Sequence, residues 1–73
     1  MHKTVDLYVI VPYKRGEVYP IQFSTEKDKA VEIFHEVHGS GKYDIVIACR
    51  GTAPENNLIS PHVSYDTSRL IET

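Results

Sequence analysis

Thr4-Val5-Asp6-Leu7-Tyr8-Val9-Ile10-Val11-Pro12 is the stretch that decides the fold. Side chains of a strand alternate between two faces. Val5, Leu7, Val9 and Val11 therefore share one face, while Tyr8 and Ile10 lie on the other with Asp6. A strand that is apolar on both sides belongs in the middle of a sheet, covered twice. Pro12 is expected to end it. Tyr13-Lys14-Arg15-Gly16-Glu17 then reads as a turn, with Gly16 free to take positive φ.

Moving outward, residues 17–23 read as a second strand. Tyr19, Ile21 and Phe23 alternate there with Val18, Pro20 and Gln22, and Pro20 puts the strand at an edge because it has no N–H to donate. A helix follows. Thr25 is the expected N-cap, with Asp28 three residues on as a variant capping box. Ala30, Ile33, Phe34 and Val37 form its apolar stripe, and Gly39-Ser40-Gly41 stops it. A third strand is expected over residues 43–50, with Tyr43, Ile45, Ile47 and Cys49 on one face. After Gly51, residues 52–61 read as a long loop. Residues 62–73 read as a fourth strand, with a short helical turn capped by Asp66 as the alternative.

The pattern predicts one α+β domain over residues 1–73, in the order ββαβ(β), with an ordered core at about residues 3–51. Its sheet is small and mostly antiparallel, in strand order 2-1-3 with a possible fourth strand, and one helix packs on one face. The surplus of fifteen Val and Ile over three Leu supports strands over a helical bundle. One helix covers one face only, and the other keeps Tyr8, Ile10, Val46 and Ala48 or their alternates. A second copy of the chain is the expected cover, by sheet packing or edge pairing.

Charge narrows the partners. Residues 1–36 hold five Lys/Arg and six Asp/Glu and residues 37–73 hold three and four, so neither half is a basic arm. Counterion release needs clustered cations, and Lys14-Arg15 is the one adjacent pair. Nucleic acid is thus not the expected partner. The longest apolar runs, residues 7–11 and 45–49, fall far short of the roughly 20 residues that span a bilayer. A lone cysteine makes no internal disulfide, which suits a reducing, cytoplasmic setting.

Few residues carry chemistry. His35-Glu36-Val37-His38 lacks the second histidine at i+4 that a zinc-protease helix needs, and the position is Gly39. No metal or cofactor is expected. Cys49 falls on the apolar face of its strand and reads as core; its use as a nucleophile is the enzymatic alternative. Asp28, Glu32 and Glu36 recur at i, i+4 and i+8, an acidic helix face that suits a basic partner. Tyr8 and Tyr19, two of five tyrosines, join them as candidate protein contacts. Arg50, Gly51 and Thr52, read as a turn, offer a guanidinium, backbone N–H groups and a hydroxyl to an anion, with Asn56 and Asn57 adding amides. The expected function is a small non-enzymatic interaction protein, a homodimer that binds another protein. A small anionic ligand near Arg50 is the alternative.

Overall fold

The computed structural model describes residues 3–71. Strand β1 (Thr4–Lys14) is central and pairs antiparallel with β4 (Ile45–Pro54), from Thr4 against Pro54 to Tyr13 against Ile45. On its other side β1 pairs with β2 (Glu17–Val18) and then with β3 (Gln22–Ser24). Helix α1 (Lys27–Gly39) crosses from β3 to β4, and a 3-10 turn (Ser60–His62) leads into β5 (Ser64–Leu70), which pairs with β4. The fold is therefore α+β, a five-stranded antiparallel sheet with one helix.

The strand order differs from the expected 2-1-3. It is β2-β1-β4-β5, with β3 also on β1. The expected second strand breaks at Tyr19-Pro20-Ile21, between β2 and β3. That break also explains why Pro12 does not end β1. In an antiparallel ladder a residue's N–H and C=O point to the same side. Tyr19 N–H donates to the Pro12 carbonyl at 2.9 Å, so the Pro12 nitrogen faces the gap between β2 and β3, where no donor is needed.

Three further boundaries move. Helix α1 starts at Lys27 with Glu26 as N-cap and no side-chain cap, so the Thr25 capping box does not form. Tyr43 precedes β4, which runs on through Gly51 to Pro54. Gly51 is thus an interior strand residue, not a turn. A Cβ there would sit 2.5 Å from the Ser64 carbonyl oxygen and 3.0 Å from Val9 Cγ2, so glycine is what lets β5 approach β4 closely. Finally, the expected loop at 52–61 begins only after Pro54, and the C-terminal segment is a strand.

The two faces of β1 form two cores. Ile10 packs with Ala30 and Val37 of α1, flanked by Tyr8, Ile33, Phe34, Tyr43 and Val46, so the expected helical stripe is the buried one. The opposite face holds Leu7, Val9, Val11, Cys49 and Ala53. Val9, Val11 and Cys49 have 0% exposure there, in the single chain. Ile21 and Phe23 from the split edge, with Tyr13, Ile47 and Val63, pack against this cluster. Tyr8, Ile10 and Val46, expected on the uncovered face, thus lie under the helix, and the alternate face is shielded by the chain's own side chains.

Candidate functional site

The register of three strands lines up polar side chains on the helix-facing side of the sheet. Tyr8, Arg50 and Asp66 form one cross-strand row, and Asp6, Thr52 and Ser64 form the next. Val46 and Ala48 precede Arg50 on this same face of β4, because side chains repeat every second residue. The helix covers Val46. Arg50 lies beyond that cover and is exposed.

Arg50 is held by an aromatic ring. Its guanidinium carbon lies 5.9 Å from the centre of the Tyr8 ring, a cation–π contact. Among the described residues the one ion pair is Lys29–Glu26, so Arg50 has no carboxylate within bonding distance. A cleft opens on either side of it. One, of about 230 Å³, is lined by Arg50, Gly51, Thr52, Ser64, Tyr65, Asp66 and Arg69. The other, of about 310 Å³, is lined by Tyr8, Lys27, Arg50, Leu70 and Ile71. Lys27, Arg50 and Arg69 thus place three cations around adjoining clefts, and Thr52 and Ser64 line the first of them.

The carboxylate in the first cleft is already engaged. Asp66 Oδ1 accepts the Ser68 hydroxyl at 2.6 Å and the Ser68 N–H at 2.9 Å. These bonds, the hydroxyl first, and the nearby Arg69 charge hold Asp66 below its ordinary carboxylate value. The turn they close coincides with an irregularity in the ladder, where Arg50 faces Asp66 but Cys49 faces Leu70. Residues 67–69 are the extra ones on β5 at this register shift, and Arg69 among them lines the cleft. Cys49 behind this row is fully buried, and burial foremost, then the Asp66 charge, pushes its thiol up.

The expected ligand set is thus assembled only in part. Arg50 and Thr52 line one cleft together. Asn56 and Asn57 lie beyond Pro54, in a turn closed by the Asn57 N–H to the Pro54 carbonyl at 3.0 Å, and line neither cleft. The expected protein-contact set is also divided. Tyr8 lies under Arg50, and Tyr19 lies between β2 and β3 against Tyr43, 5.5 Å between ring centres. Asp28, Glu32 and Glu36 are exposed along α1 and line neither cleft. Lys27, Ser64 and Arg69 escape sequence reading, because only the helix crossover, the β4–β5 register and the bulge bring them to Arg50. The Asp66-Thr67-Ser68 turn is the one local signal, an Asx turn by its residue types.

Among the described residues no three His, Cys, Asp or Glu side chains lie close enough to hold a metal ion, and no helix is long and apolar enough to cross a membrane. No family model, curated protein or solved structure matches the chain, so the chemistry of the site rests on its own residues.

Proposed function

We propose that this chain is a non-enzymatic interaction protein that receives an acidic segment of another protein in the clefts around Arg50. The observation that carries this reading is Arg50 itself, over the Tyr8 ring, with no carboxylate within 4.0 Å among the described residues because Asp66 across the cleft is engaged by Ser68, and flanked by Lys27 and Arg69. Planar guanidinium groups suit carboxylates because two N–H bonds run parallel to two oxygens. Both clefts are open at the surface, so a segment of a larger chain can lie across them and present its carboxylates to Arg50. The free, buried thiol of Cys49 accords with a cytoplasmic setting.

The test is an NMR titration with a glutamate-rich peptide and, in parallel, a lysine-rich one. The expected result is movement of the Arg50, Thr52 and Ser64 amides with the acidic peptide, weakened about tenfold by Arg50→Gln, since a charge-assisted hydrogen bond is worth about 1.5–3 kcal/mol. Binding of the lysine-rich peptide to α1, lost on Glu32→Lys with Glu36→Lys, would move the contact to the acidic helix face. Inorganic phosphate saturating the clefts as tightly as the peptide would make the protein a small-anion binder instead.

Self-association has its own supporting observation. Leu70, 64% exposed, lines a groove of about 240 Å³ with Phe34, Val46, Ile47, Ala48 and Ile71, and Ile45, 57% exposed, immediately precedes Val46 on β4. We place the homodimer contact on this patch, because a soluble monomer seldom leaves contiguous apolar surface open.

A further inference from the structure

We infer that the cleft between the β1–β2 hairpin and the α1–β4 loop is a second, separate ligand site, built for an aromatic base that carries a phosphate. The cleft, of about 340 Å³, is lined by Lys14, Tyr19, Gly41, Lys42, Tyr43 and Asp44. It joins Lys14 of the hairpin to Lys42 from beyond the helix. Basic residues interleaved with aromatics are the combination that holds a nucleotide. The ring stacks on the base whatever its identity, and the ammonium groups take the phosphate.

The geometry is set in advance. Tyr19 packs on Tyr43 with ring centres 5.5 Å apart at 59°, and Tyr19 keeps 37% of its surface exposed at the cleft. Backbone bonds fasten the walls: the Asp44 N–H donates to the Tyr13 carbonyl at 2.9 Å and the Tyr19 N–H to the Pro12 carbonyl at 2.9 Å. The Asp44 carboxylate also lines the cleft, its Oδ2 accepting the Arg15 backbone N–H at 2.8 Å, so Lys14 and Lys42 outnumber it two to one. That bond holds Arg15 at φ 54° beside Gly16 at 78°, a hairpin turn whose first position ordinarily favours Asn, Asp or Gly. Strain of this kind gathers at binding sites, where surrounding contacts enforce it.

A free nucleotide and a single-stranded nucleic acid share this chemistry, and the probes separate them. The full chain is titrated with adenosine monophosphate, with a short single-stranded oligouridylate and with inorganic phosphate, reading the Tyr19, Lys42 and Tyr43 NMR signals. The expected result is movement of all three with a base-carrying probe. Tyr19→Ala weakens binding about tenfold, in the range found for loss of one stacked base. Tyr19→Phe leaves it unchanged, and Arg50→Gln does not affect it, which separates this site from the acidic-segment site. Tighter binding of the oligonucleotide assigns a strand; equal binding assigns the free nucleotide. Silence of these signals with both, or inorganic phosphate binding as tightly as either, overturns the inference. Lys42→Ala, at an exposed loop position, gives a second handle should Tyr19→Ala fail to fold; unchanged binding by that variant also overturns it.

Discussion

Gly51 and Cys49 show how much single positions fix. The Cβ of Gly51→Ala would press on the Ser64 backbone oxygen at 2.5 Å, which cannot swing away as a flexible side chain would. Overpacking of this kind costs about 1–3 kcal/mol. The expected outcome is a lower urea midpoint with β5 amides exchanging first, and an unchanged midpoint would show that β5 does not approach so closely. Cys49 is neutral in the folded chain, its thiol pushed up by burial foremost and then by Asp66. Below the ordinary value of 9.0 both folded and unfolded chains keep the proton, so stability there is unaffected. Above it the unfolded thiol ionises first, and stability falls as pH rises toward the folded value. Denaturation curves across this alkaline range should show a steeper decline for the natural chain than for Cys49→Ala. The same burial predicts alkylation far slower than in urea-unfolded chain.

At the scale of elements, helix α1 lacks a side-chain cap. Glu26 occupies the N-cap position in extended conformation without reaching back to the first N–H groups. Ser at that position bonds the N–H two or three residues on, and a cap of this type is worth about 0.5–2 kcal/mol. Glu26→Ser is therefore expected to raise the thermal midpoint. The lost Lys29–Glu26 pair is exposed on both sides and subtracts little. A midpoint that falls would mean that the helix start is set elsewhere, at Thr25 as its residue types suggest. This is where sequence reading was weakest. The helical stripe, the double-sided β1 and the edge position of the Pro20 strand were legible, because periodicity and a missing N–H are local facts, whereas the break of that strand at Pro20 was not. Strand ends were not. Pro12 is accommodated by a gap that Pro20 makes across the sheet, and Gly51 serves a neighbouring strand, and both are facts of register.

For the whole molecule, the same distinction governs the site and the oligomer. Arg50 and Thr52 were legible as anion-binding types, but Lys27 and Arg69 reach them only through the crossover and the β5 bulge. The sheet face was misjudged for a related reason: Ile21, Phe23 and Val63, distant in sequence, pack over Val9 and Cys49. Exposed apolar side chains lie elsewhere, the two most exposed among the described residues being Leu70, which lines the groove with Phe34, and Ile45 at the start of β4. A homodimer resting on that patch is small-contact, so its population should follow protein concentration and not salt, since burial of apolar side chains is little screened by ions whereas charge pairing is. Sedimentation velocity over a wide concentration range should show the natural chain passing from one copy to two. Ile45→Lys with Leu70→Lys should hold it at one copy without lowering its thermal midpoint, because both side chains are already in water. A natural chain that stays single at the highest concentration removes the dimer, and leaves the clefts around Arg50 as a site complete within one chain.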